Sequence, residues 1–256
     1  MLKTLLRPCL LAGLASLPAF AASKTVEGQR QPVLVELFTS EGCSSCPPAD
    51  ALLEKLDRDQ PVSGAQIIVL SEHVDYWNQL GWKDPFSSPA VTARQVAYDR
   101  RFGLDGPYTP EMVVNGAVEF NGSDAGKAEE AIRAAAQQPR VAMRIEGGSP
   151  DGVVVLEVDA LPEGKLRKAN VFVVHALNSA TSSVERGENS GRTIKHVAVA
   201  GEIRQVGHIG VKDHFEMRIP PPPSSSKTGD RLIAFVQEPG NGKILGAILY
   251  AIPRHD

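Results

Sequence analysis

The stretch that most constrains this chain runs from Val33 to Leu53, and its centre is Cys43-Ser44-Ser45-Cys46 followed by Pro47-Pro48. Val33 to Phe38 is a short apolar run rich in β-formers, which predicts a buried strand. Thr39 to Gly42 is a polar break. Pro47 suits the first turn of a helix, where its missing N–H would be unpaired in any case. Ala49, Leu52, Leu53 and Leu56 then fall at helical spacing and give that helix one apolar face. The expected local order is strand, loop, Cys-x-x-Cys, helix.

That order supplies chemistry. The first N–H groups of a helix lack partners and favour a nearby anion. A thiolate at Cys43 is such an anion, and cysteines placed this way have their acidity raised. Cys46 lies one turn on and can resolve a mixed disulfide by attacking it. Two other readings compete. A structural disulfide over so short a loop would remove little chain entropy. Half of a metal site would need a second pair of ligands.

The first 21 residues read as a cleaved export signal: Lys3 and Arg7 lead, Leu10 to Leu17 is mostly apolar, and Ala19-Phe20-Ala21 is a small-x-small cleavage site. The apolar run is too short to span a bilayer, so after cleavage no integral membrane protein is expected. Cleavage removes Cys9 and leaves Cys43 and Cys46 as the exported chain's cysteines. Losing Lys3 and Arg7 also lowers the basic count from 27 to 25, against 30 acidic residues. With no basic stripe, nucleic acid is not an expected partner. The expected compartment is the periplasm or the exterior.

Beyond the first helix, Ile67 to Leu70 reads as a second buried strand. Residues 71 to 87 form a long connection holding His73, Trp77 and Trp82, and long loops rich in aromatics are often functional. Ser88 and Pro89 start a helix that Gly103 ends; Met112 to Val114 and Val118 to Phe120 form a hairpin about Asn115-Gly116; and Ser123 caps a further helix ending before Pro139. After Pro139 come about seven short strand-like runs separated by Gly, Pro, Ser and Asn clusters, which suggest a β-sandwich. Within that half, residues 184 to 196 are the densest polar stretch, read as a solvated hairpin loop or as a segment folding toward the cysteines. His196 and His214 read as structural histidines.

The β-α-β-α-β-β-α order, with Cys43-x-x-Cys46 at the first helix and Thr109-Pro110 before the third strand, resembles the thioredoxin superfamily. The stretches Glu36–Asp50, His73–Trp77 and Gly187–Thr193 also look like a family of exported bacterial proteins of unassigned function with a thioredoxin-like domain. The resemblance implies an α/β thioredoxin-like domain over residues 30–139, and the strand-like runs beyond it predict an all-β sandwich-like domain over 140–256. It implies a cis Pro110 facing the disulfide, Glu36 as a buried acid relaying a proton to Cys46, and Thr109, His73 and Trp77 along a substrate groove. The expected activity is thiol–disulfide exchange with protein or small-molecule thiols and disulfides, the redox-active Cys43–Cys46 disulfide replacing any bound cofactor. Two rival readings are a Cu(I)-handling protein with Cys43, Cys46 and His73 as ligands, and a non-catalytic binding module.

Overall fold

The computed structural model describes residues 30–147, 152–221 and 229–252. The expected export signal lies outside the described residues, as does most of the Pro220 to Ser226 run.

Strand β1 (Gln31–Thr39) leads through the cysteine loop into helix α1 (Pro47–Asp59), and β2 (Ala65–His73) returns parallel to β1. Helix α2 (Pro89–Phe102) follows the long connection, with the Ser88 hydroxyl accepting from the Ala90 N–H at its start and Gly103 left-handed at its end. Strands β3 (Glu111–Val114) and β4 (Val118–Asn121) form a hairpin antiparallel to β1, turning at Asn115-Gly116 where both residues have positive φ. Asp124, one residue later than expected, caps α3 (Ala125–Ala136).

Every second residue of β1 faces one side. Val33, Val35 and Leu37 pack with Ala49, Leu53 and Leu56 of α1 and with Ala128 and Ile132 of α3. On the opposite side, Phe38 meets Val91 and Tyr98 of α2.

The second half comprises β5 (Met143–Glu146), β6 (Val154–Val158), β7 (Lys168–Ser183), β8 (Thr193–Gly210), β9 (Phe215–Ile219), β10 (Asp230–Gln237) and β11 (Ile244–Ala251). Here the structure corrects the expected fold class. The protein is mostly strand, and it is not a thioredoxin-like α/β domain with a β-sandwich appended. One mixed eight-stranded sheet, in the order β11-β10-β7-β8-β2-β1-β3-β4, runs through both halves, and β5-β6-β9 form a separate small sheet.

The join is made by β8, which runs parallel to β2 at Ser71 and Val199 while pairing with β7 along its length. Register between β7 and β8 shifts near His175, and a Cβ at Gly201 would stand 2.8 Å from the His175 carbonyl. Such a bulge bends a strand and allows it to leave one neighbour's plane for another's. The sheet then curls so that Val174, Ile233 and Phe235 cover Leu34, Ile68 and Leu70. The small sheet lays Leu156 and Val158 on Val171, Val173, Leu232 and Ala234, on the far side of the same strands.

Candidate functional site

The cysteine loop leaves the carboxyl end of β1 and turns tightly. The Cys43 N–H donates to the Ser40 carbonyl and the Cys46 N–H to the Cys43 carbonyl, 3.1 and 3.2 Å. Cys46 is the residue that begins α1, and its carbonyl accepts from Ala49 and Asp50. Cys43 and Cys46 are joined in a disulfide, and neither exposes any surface. Ser44 and Ser45 between them are exposed.

The expected groove residues Trp77, Thr109 and Pro110 gather on this loop. Ser45 Oγ lies 3.3 Å from Cys43 Sγ and donates to the Thr109 carbonyl at 3.4 Å. The Trp77 indole N–H donates to Thr109 Oγ1 at 2.8 Å. The Thr109–Pro110 bond is cis. Gly122 fixes Pro110 beside the first turn of α1: a Cβ there would lie 3.1 Å from Pro110 Cβ and 3.2 Å from Ala49 Cβ.

Glu36 is placed elsewhere. It alternates to the face away from α1, where Arg94 and Tyr98 of α2 both donate to its carboxylate. Gln237 of β10 accepts from Arg94 and donates to Tyr98, so this buried cluster ties α2 to the sheet. Glu72 lies 3.6 Å from Arg94, and burial followed by the neighbouring Glu36 charge pushes its carboxyl well above the usual range.

A second buried polar cluster adjoins the first turn of α1, and composition and spacing gave no signal for it. Asp50 stands four residues after Cys46 on the same face of α1, which brings their Cβ atoms to about 5–6 Å. Asp50 Oδ1 accepts from Thr39 Oγ1 and lies 3.6 Å from His196 Nδ1, while His196 Nε2 lies 3.4 Å from Glu41 Oε1. The Glu41 carboxylate also accepts from the Trp82 indole N–H at 2.7 Å. Burial alone would push the His196 imidazolium to lower pKa, but the adjacent Asp50 and Glu41 carboxylates outweigh it and raise it to about 9. His196 is therefore a cation at neutral pH. Burial pushes the Glu41 carboxyl up, yet His196, Ser182 and Trp82 together hold it below the usual range.

His73 joins the same cluster rather than an open groove. It is buried, with Nδ1 2.7 Å from Asp84 Oδ2 and Nε2 3.2 Å from Ser71 Oγ, and its ring meets His196 edge to face at 4.5 Å. Among the described residues, no group of three or more His, Cys, Asp or Glu side chains is arranged to hold a metal ion.

The polar stretch 184–192, the turn between β7 and β8, folds onto the cysteine loop. Asn189 is fully buried, and its amide donates to the carbonyls of Glu41 and Cys43 at 2.9 and 2.8 Å. Glu188 Oε2 accepts from the Ser44 N–H at 3.1 Å. The sequence offered the stretch through its polarity and through the resemblance of Gly187–Thr193; the contact depends on where β8 joins the sheet.

The family described as "Protein of unknown function (DUF1223)" matches residues 34–237. The chain belongs to this family. The DUF1223 match takes in both cysteines, Pro110, the hairpin tip and His196, so the site and its cover fall within one family unit. No curated protein matches the sequence. Among solved structures, the DUF1223 chain is similar to a protein from Agrobacterium tumefaciens with 26% identity and a TM-score of 0.71, over 89% of this chain and 97% of that one. It is also similar to HBP35 of Porphyromonas gingivalis, at 17% identity and a TM-score of 0.58, over 88% and 76% of the two chains. At that identity the second likeness concerns the fold alone.

Proposed function

We propose that this protein is an exported thiol–disulfide oxidoreductase acting on protein or small-molecule thiols and disulfides, with Cys43 as the attacking thiolate and Cys46 as the resolving thiol. The observation that carries the reading is the Cys43–Cys46 disulfide at the first turn of α1, the same turn that carries Asp50 of the buried acid–histidine cluster. A disulfide closing so short a loop restrains the unfolded chain little, so stability is a poor reason for it. A buried titratable cluster is a poor reason for stability too, since uncharged packing would serve as well.

In the reductive direction, the Cys43 thiolate attacks one sulfur of a substrate disulfide. The substrate S–S bond breaks, and its other sulfur leaves with the electron pair and takes up a proton. Cys46 then gives its proton to the Asp50 carboxylate and attacks Cys43 Sγ. The mixed disulfide breaks, the second substrate sulfur departs as a thiolate, and Cys43–Cys46 forms. The substrate gains two electrons and the cysteine pair loses two. Oxidation of a dithiol runs through the same steps in reverse. The His196 imidazolium, 3.6 Å from Asp50, offsets the charge around that carboxylate. Ser45, Thr109 and Trp77 form the rim at which a substrate would meet Cys43.

The test is equilibration of the mature protein with defined ratios of reduced and oxidised glutathione, scoring the free thiols by alkylation and mass spectrometry. The reading expects a reduction potential between about −270 and −120 mV, the span of known exchange proteins. A pair that stays oxidised below about −300 mV would mark a structural disulfide and overturn it. The same mass spectra read the terminus: protein from its native compartment is expected to begin at or near Ala22, and soluble protein retaining Met1 would count against export.

A further inference from the structure

The start of α1 has few N–H groups free to meet an anion. Those of Cys43 and Cys46 bond within the loop, and Pro47 and Pro48 have none. The Ser44 N–H points outward, and its acceptor is the Glu188 carboxylate from a hairpin 144 residues away in sequence. Glu188 itself is exposed, but the tip that carries it is anchored by the buried Asn189 amide on the carbonyls of Glu41 and Cys43. An outside carboxylate thus sits on the backbone N–H of the residue directly after Cys43.

We propose that Glu188 is a positioning residue that sets the redox equilibrium of the Cys43–Cys46 pair and holds it toward the disulfide. This rests on the pair being redox-active, as proposed above. When a dithiol reduces the pair, the Cys43–Cys46 bond breaks, two electrons pass to the two sulfurs, and the dithiol becomes a disulfide. Two protons then distribute among Cys43, Cys46 and solvent. A negative charge on Cys43 is opposed by the Glu188 carboxylate bound to the adjacent N–H, so Cys43 holds its proton more firmly and the reduced form is disfavoured. By linkage, a Cys43 thiolate loosens Glu188 from Ser44 to the same degree. Among the described residues, the buried ionisable groups on the inner side of the loop are Glu41, Asp50 of α1, His196 of β8 and the His73–Asp84 pair, and Glu185 and Arg186 share the exposed tip with Glu188. Hydrogen bonding from Ser44 holds the Glu188 carboxyl below the usual range.

The experiment compares the mature wild-type protein with Glu188→Gln and Glu188→Asp. Glutamine keeps an acceptor for the Ser44 N–H and removes only the charge; the position is exposed, so folding is not at risk. Two readouts are taken at low salt and at about 1 M salt: the equilibrium against glutathione, and the apparent Cys43 pKa from iodoacetamide rates against pH. At low salt Glu188→Gln is expected to shift the equilibrium toward the reduced form by roughly two- to fivefold and to lower the Cys43 pKa. Glu188→Asp should stay near wild type, and high salt should shrink the difference. An equilibrium unchanged by Glu188→Gln, or moved toward the disulfide, overturns the inference while leaving the oxidoreductase reading intact. A wild-type pair that glutathione cannot reduce overturns that reading instead.

Discussion

At the scale of single residues, the site turns on which groups sit one helical turn from the cysteines. Asp50 shares a face of α1 with Cys46 and lies 3.6 Å from the ring of His196, so under the proposed exchange reaction Asp50→Asn should impair the step in which Cys46 loses its proton. Loss of one positioned proton acceptor predicts about a hundredfold slower resolution, seen as a build-up of the Cys43–glutathione mixed disulfide by mass spectrometry. Resolution at the wild-type rate would remove Asp50 from the mechanism. Gly122 is a second such position. A Cβ there would lie 2.7 Å from Leu37 Cδ1 as well as close to Pro110 and Ala49. Gly122→Ala should therefore lower stability by about 1–3 kcal/mol through overpacking, measured by the denaturant midpoint, and that added cost should shrink when it is measured in a Leu37→Ala background, which is itself less stable than wild type.

At the scale of elements, α2 is held to the sheet by charge as much as by apolar packing. The Arg94 guanidinium lies among Glu36, Glu72, Tyr98 and Gln237, with Glu36 wholly inside. Arg94→Leu leaves that carboxylate buried without its counter-ion and should cost about 3–5 kcal/mol by chemical denaturation. The double variant with Glu36→Leu should be much closer to wild type, because it removes the stranded charge; a double variant as unstable as the single one would refute this account. Helix boundaries were legible because caps are local: Ser88, Pro89 and Gly103 act within α2's own turns. Strand β8 was less legible. Its first part reads as a strand, but residues 200 to 210 include Gly201, Glu202, Arg204 and Gln205, a polar pattern that resembles a loop. It is a strand because β7 offers it a hydrogen-bonding edge along nearly its whole length.

At the scale of the whole molecule, buried ionisable groups give stability a definite pH dependence. His196 has its pKa raised from the unfolded value near 6.5 to about 9, so its contribution is complete below about pH 6.5 and is lost as pH rises through 9. Glu111, at the start of β3, is pushed up to about 8 by burial, opposed by the Gln95 hydrogen bond and reinforced by the Asp99 and Glu119 charges. Its folded form binds the proton more tightly than the unfolded chain, so it too loses stability as pH climbs from about 4.5 to 8. The midpoint of thermal unfolding should fall between about pH 6.5 and 9, and His196→Gln should flatten that slope. A midpoint that rises over this range would contradict the assigned charge states.

Local sequence suffices for the strand before Cys43, the Pro47-started helix after Cys46, the Asn115-Gly116 turn and the position of most later strands. These follow from propensity, capping and periodicity, which act over a few residues. Only the assembled sheet makes the later strands extend the first one instead of closing into a sandwich, turns Glu36 to Arg94, sets His196 beside Asp50 and lays Asn189 on the cysteine loop. Each of those contacts joins residues far apart in sequence through strand partners and register. A strand's own residues specify its faces, but its neighbour is fixed only when the whole sheet is assembled.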